Sequence, residues 1–133
     1  MKLFITDTST NLSKTLMQQY NISEIPAKVC ALGQIMYNLD QYIIKYDEIY
    51  YFSSNENYES IISISSKILS LHSGCQITII NIDNGSFGRN NLVLRTILSL
   101  NKYNAIETYG APLKQIQGVS YNIIKENTSK IFN

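Results

Sequence analysis

The chain has 133 residues, of which 44% are hydrophobic and 16% charged, with a formal net charge of +1. That length suits one domain with one core, and the composition excludes a disordered chain. Its Lys and Arg residues are scattered without a run, which argues against a binder of nucleic-acid polymers.

The elements are predicted as follows, in chain order. Leu3–Ile5 is a short apolar run closed by polar residues, as in a buried strand. Thr10 or Asn11 can cap a helix whose apolar face is Leu12, Leu16, Met17 and Tyr20. A weak strand follows near 24–29, where Pro26 suggests a sheet edge or a strand start. Leu32, Ile35, Met36, Leu39, Tyr42, Ile43 and Tyr46 then fall on one helical stripe, with Ile35, Leu39 and Ile43 expected in the core.

Ile49-Tyr50-Tyr51-Phe52 reads as the next buried strand. A helix from Tyr58 to His72 follows, with Gly74 as its left-handed cap. Residues 77–82 form a strong strand, and Val93, Leu94, Ile97 and Leu98 mark another helix. Ala105–Tyr109 is a weak fifth strand, and Pro112 starts a last helix carrying Leu113, Ile116, Val119, Ser120, Ile123 and Ile124. Strand and helix thus alternate without a linker or a repeat. The pattern predicts one α/β domain over 1–133: a doubly wound, mostly parallel sheet of about five strands with helices on both faces, flavodoxin-like in type.

Two cysteines, Cys30 and Cys75, make no disulfide framework and suit a reducing compartment. The first residues reach Asp7 too early for a signal peptide. No apolar run approaches the roughly 20 residues of a membrane span. The expectation is a cytoplasmic chain with no membrane span.

In doubly wound sheets, ligands bind beyond the carboxyl ends of the strands, near the switch in strand order. Three polar loops are placed there. Thr6-Asp7-Thr8-Ser9-Thr10-Asn11 brings hydroxyls and a carboxylate to a helix start, where free N–H groups suit a carboxylate or phosphate. Helix capping alone also explains these residue types. Ser53-Ser54-Asn55-Glu56-Asn57 repeats the same logic. The third loop, Asp83 to Asn91, contains Ser86 between two glycines, and Arg89 offers a planar donor fork. It matches neither a P-loop nor the dinucleotide glycine fingerprint, and a structural turn explains it as well. Asp7 and Asp83 could meet over Mg²⁺, but one aspartate after a strand is too common to define a metal site. His72 suits a helix end rather than a metal, and neither cysteine has a histidine beside it in sequence. No catalytic residue, metal or cofactor is assigned.

Three segments resemble the amino-terminal domain of the DegV family of fatty-acid-binding proteins. They are Ile5-Thr6-Asp7-Thr8-Ser9-Thr10-Asn11-Leu12 with Tyr20-Asn21-Ile22 and Ile25-Pro26; Tyr46-Asp47-Glu48-Ile49 with Ser53-Ser54 and Tyr58-Glu59-Ser60; and Ile82-Asp83-Asn84 with Gly85-Ser86-Phe87-Gly88 and Leu92-Val93-Leu94. The resemblance covers about residues 1–100. Val29–Asn38 has no room for the family's longer ligand-contacting segment, and residues 104–133 match nothing in it. The resemblance implies an acyl ligand whose acid lies at Ser53 or Ser54.

The leading expectation is therefore a non-enzymatic module for a small anionic ligand, held among Asp7, Thr8, Ser9, Ser53, Ser54, Asp83, Ser86 and Arg89. An alternative is a flavodoxin-like binder of a nucleotide or flavin phosphate, with Tyr51, Phe52, Phe87 and Tyr109 stacking on a base. Another is a homo-oligomer or partner-protein module, whose cue would be exposed aromatics among the ten tyrosines. An enzyme is least supported, because no acid–base or nucleophile pair is visible.

Overall fold

A computed structural model describes residues 1–25, 32–54, 58–72, 74–82, 88–103, 114–116 and 118–124. Six strands form one sheet: β1 (Lys2–Asp7), β2 (Ile22–Ile25), β3 (Glu48–Ser53), β4 (Gln76–Ile82), β5 (Lys114–Ile116) and β6 (Val119–Ile124). Their spatial order is β2-β1-β3-β4-β6-β5. Five strands are parallel, and β5 alone runs antiparallel, to β6 at the edge. Four helices complete the described elements: α1 (Lys14–Gln19), α2 (Leu32–Tyr42), α3 (Tyr58–Leu71) and α4 (Arg89–Tyr103). The predicted parallel, doubly wound α/β sheet is the one observed.

Alternation along the strands divides the core into two layers. On one face, Leu3, Ile5, Ile49, Tyr51, Ile77, Ile79 and Tyr121 pack against Ile35, Leu39 and Ile43 at α2 and Ile61, Ile62 and Ile68 of α3. On the other, Phe4, Tyr50, Phe52, Ile80, Ile82 and Ile124 pack against Leu12 and Leu16 near α1 and Leu92, Val93, Ile97 and Leu100 of α4. Burying each large apolar side chain contributes about 1.5–3 kcal/mol before the entropy of ordering is subtracted. The stripe on α2 is thus inside where Ile35, Leu39 and Ile43 were expected, whereas Met36 of that stripe is exposed, as is Leu98 of α4.

Several sequence expectations are corrected. The helix predicted from Pro112 is not formed over its described part. Val119–Ile124 is a strand, entered from β5 through Gly118 at φ 82°. Ile116, Val119, Ile123 and Ile124 satisfy a helical period, but a positive φ at Gly118 interrupts any helix there. The first helix is capped by Ser13, whose Oγ accepts from Leu16 N at 3.2 Å, rather than by Thr10 or Asn11. Asn11 instead adopts a left-handed conformation (φ 49°, ψ 47°) that ends a single 3-10 turn over Thr8–Thr10. The second strand starts earlier than expected, at Ile22. The strand expected at 105–109 and the residues at 26–31 lie outside the described residues.

Two small sites near the opposite, amino edge of the sheet are also defined. His72 Nε2 lies 3.4 Å from Asp40 Oδ1 and ties the end of α3 to α2. Cys75 is a free, half-buried thiol; burial, then the charges of Asp47 and Glu48, push its pKa up, which disfavours a nucleophile. No helix among the described residues is long and apolar enough to cross a membrane.

Asn122 stands out within the apolar layer. It pairs in register with Ile80, is 1% exposed, and has no hydrogen-bond partner among the described residues for its amide nitrogen or oxygen. An unsatisfied buried polar group costs about 1–3 kcal/mol. Asn122→Val replaces the amide with a β-branched strand former, so it is expected to raise stability by about 1–3 kcal/mol. Urea unfolding monitored by circular dichroism checks this; a lower midpoint would mean that the amide is satisfied in solution.

Candidate functional site

The chain leaves β1 through α1 to β2 on one side and returns through α2 to β3 on the other. The switch point therefore lies at the carboxyl ends of β1 and β3. Register places Ile5 beside Tyr51 and Thr6 beside Phe52, so Asp7 and Ser53 close the two strands side by side. Successive alternate residues share a face, so Asp7, Tyr51 and Ser53 all point toward the α2–α3 layer.

Asp7 is 1% exposed and its carboxylate is fully engaged. Tyr51 Oη donates to Oδ2 at 2.7 Å and Ser53 Oγ donates to the same atom at 2.8 Å. Ser9 donates to Oδ1 twice, through its backbone N–H at 2.9 Å and through its hydroxyl. Four donors match the roughly four lone-pair sites of a carboxylate. Burial, then the charge of Asp7 and the hydrogen bond to it, hold the Tyr51 phenol far above its ordinary pKa of 10.0.

A second layer of bonds pins the loop. Thr6 Oγ1 donates to Phe52 O at 3.0 Å and lies 2.6 Å from Thr10 Oγ1, which itself bonds Asp7 O at 3.2 Å. Ser54 N donates to Ser9 Oγ at 2.8 Å, so the loops after β1 and β3 are joined directly. Ser54 is 5% exposed, and its Oγ has no hydrogen-bond partner among the described residues. Ser13 N donates to Asn90 Oδ1 at 2.9 Å, which brings the start of α4 to the same edge.

The polar row continues along the sheet. Asn81 is the register partner of Ser53, and its Nδ2 donates to Tyr121 Oη at 3.1 Å. Tyr121 stacks on Tyr58, the first residue of α3, with ring centroids 5.1 Å apart and planes at 14°. Burial is the main cause that pushes the Tyr121 phenol up.

Of the residues singled out from sequence, the structure brings Asp7, Ser9, Ser53 and Ser54 together. Thr8 is exposed at the rim of the same turn. Arg89 is the first residue of α4, half-buried, and its helix packs on the face opposite the Asp7 carboxylate. Asp83 and Ser86 lie outside the described residues, as do Phe87 and Tyr109. Tyr51 and Phe52 are fully buried and offer no face to a base, which corrects their expected stacking role. Asn81, Tyr58 and Tyr121 were missed, as was the role of Tyr51 as a donor to Asp7; the signal for Asn81 was a lone polar residue inside an apolar strand. Among the described residues, no group of three or more His, Cys, Asp or Glu could hold a metal ion.

The buried phenols set a test. Tyr50 is pushed up to about 12, by burial first and then by Glu48, and Tyr51 rises further. Above pH 10 the unfolded chain loses these protons while the folded chain keeps them, so stability falls as pH rises. Tyr51→Phe removes one such proton and should flatten the slope of unfolding free energy against pH by about 0.7 kcal/mol per unit at pH 10, rising toward about 1.4 kcal/mol per unit at higher pH. Denaturant titrations between pH 9 and 11 measure it; an unchanged slope would place Tyr51 in water.

No protein-family model matches the chain, and neither a curated protein nor a solved structure is significantly similar to it.

Proposed function

We propose that the chain is a non-enzymatic binding module that holds one small acid-bearing ligand, a carboxylic or phosphoric compound, beyond the carboxyl ends of β1 and β3. The observation that carries this reading is the Ser54 hydroxyl, buried without a partner among the described residues at the switch point, where an Asp7-anchored network ties Ser9 to Ser53 and Ser54. A buried hydroxyl without a partner is costly in an empty protein and is satisfied by a ligand oxygen. In this reading Asp7 orders the site and does not itself touch the ligand. Thr8, Ser9, Ser53 and Ser54 form the contact rim; Arg89 stands at the start of α4, and Asp83 and Ser86, which precede it in the sequence, complete the expected set. If the resemblance to the DegV family carries over, the ligand is a fatty acid.

Native mass spectrometry of the purified chain tests this. The expected result is a retained mass of an acid-bearing compound, lost on denaturation and reduced in Ser54→Ala. A neutral hydrogen bond is worth about 0.5–1.5 kcal/mol, so Ser54→Ala should weaken binding roughly 2- to 13-fold. A spectrum free of any adduct, together with no response to added acids, would remove the reading.

A further inference from the structure

The side of the sheet on which the Ser54 hydroxyl lies decides what else the ligand meets. We infer that the acid group of the ligand is held ionised, as a carboxylate or phosphate, at the amino terminus of α4 on the α1–α4 face, with Ser54 O–H as a donor. This rests on the reading that a small ligand occupies the Ser54 site. Ser53 turns its hydroxyl to Asp7, on the α2–α3 face. Phe52 packs in the α1–α4 layer. Alternate residues of an extended chain share a face, so Ser54 follows Phe52 to the α1–α4 side. Its Oγ is buried there with no partner among the described residues, on a residue 5% exposed.

The start of α4 stands over the same place. α4 follows β4, and the Asn90 side chain in its first turn accepts Ser13 N–H at 2.9 Å, past the end of β1. β3 lies between β1 and β4, so this first turn crosses the carboxyl end of β3, where Ser54 is. The helix opens with Leu92 N donating to Gly88 O. The N–H groups of Asn90 and Asn91 come before that bond and have no acceptor within the helix; they form the positive end of its dipole, about half an elementary charge. No acidic residue lies in the turn, and Arg89 begins it with a cation. The other helix starts beside β1 and β3 suit an anion less: α1 has six residues and is capped by Ser13, and α3 carries Glu59 in its first turn. The buried Asp7 carboxylate lies on the opposite face, where four hydrogen bonds take up its charge. A hydroxyl and helix N–H groups that all donate are matched by a group that only accepts, which is an oxyanion.

The test uses head-group probes rather than an unknown ligand. Inorganic phosphate, butyrate and the neutral butyramide are titrated at pH 8, each to high millimolar concentration, into the isotope-labelled chain, and the amide resonances of Ser9, Ser54, Asn90 and Asn91 are followed. The expected result is saturable shifts of Ser54, Asn90 and Asn91 with at least one of the two anions, and none with butyramide. A response to phosphate alone would assign a phosphate-bearing ligand, and a response to butyrate alone a carboxylic one; both uphold the inference. Asn91→Asp sets a carboxylate in the first turn of α4, which favours the helix and repels an anion. It should weaken anion binding about tenfold without lowering the melting temperature. Butyramide bound as tightly as the anions, or parental affinity in Asn91→Asp, would overturn the inference while leaving a ligand site standing. Shifts of Ser9 and Ser54 with Asn90 and Asn91 unmoved would do the same. No response to any probe would remove both the inference and the ligand reading beneath it.

Discussion

Asp7→Ala is expected to destabilise the chain by about 3–5 kcal/mol, the cost of removing one partner from a buried charged network. The carboxylate takes hydrogens from Tyr51, Ser53 and both donors of Ser9, all at the carboxyl edge of β1 and β3. Alanine leaves the buried Tyr51 phenol without its acceptor, and such an orphaned group adds about 1–3 kcal/mol. It also releases the 3-10 turn over Thr8–Thr10, for which Asp7 is the cap. Asp7→Asn keeps the shape but turns an amide N–H₂ toward donors, so its loss should fall between alanine and the parent. Guanidinium unfolding of the three chains measures the series. A loss below about 1 kcal/mol for alanine, the level of an ordinary exposed substitution, would mean that the network is loose in solution.

The second large effect is Leu39→Asp, expected to cost about 4 kcal/mol or more through lost packing together with an unpaired buried charge. Leu39 is fully buried between α2 and the sheet, in one layer with Ile35, Ile43, Ile61 and Ile68. The α2–α3 layer carries the face on which Asp7, Tyr51 and Ser53 lie, so this substitution should also disturb the switch point. A melting temperature within a degree of the parent would place this side of α2 in solvent.

What the sequence disclosed and what it hid have physical causes. The strands at 48–53 and 76–82 were legible because parallel strands covered on both faces need unbroken runs such as Ile49-Tyr50-Tyr51-Phe52. The end of α3 was legible because Gly74 takes a φ of 93°, which suits a glycine cap. The last strand was hidden because Ile116, Val119, Ile123 and Ile124 fit a helical stripe as readily as a strand. Only the turn at Gly118 separates the two periods.

The site was half legible for a related reason. Sequence placed Asp7 and Ser53 after strands, but their contact depends on register between β1 and β3, which is a tertiary property. Hydroxyls near a carboxylate read in sequence as ligand contacts, whereas two of them, on Ser9 and Ser53, donate to Asp7. Tyr51 read as a base-stacking residue because an aromatic strand end does not reveal that its ring is enclosed. The partnerless Ser54 hydroxyl is visible only once the neighbouring bonds are known.

The central claim is that a small ligand occupies the carboxyl edge at Ser54, and its most direct test compares two ¹H–¹⁵N spectra. One is of the chain as purified; the other is of the chain unfolded, extracted with organic solvent and refolded. The account predicts that the amide resonances of Ser9, Ser54 and Tyr58 differ between the two and return when the extract is added back. Identical spectra, or differences confined to the opposite edge around His72 and Gln76, would contradict it.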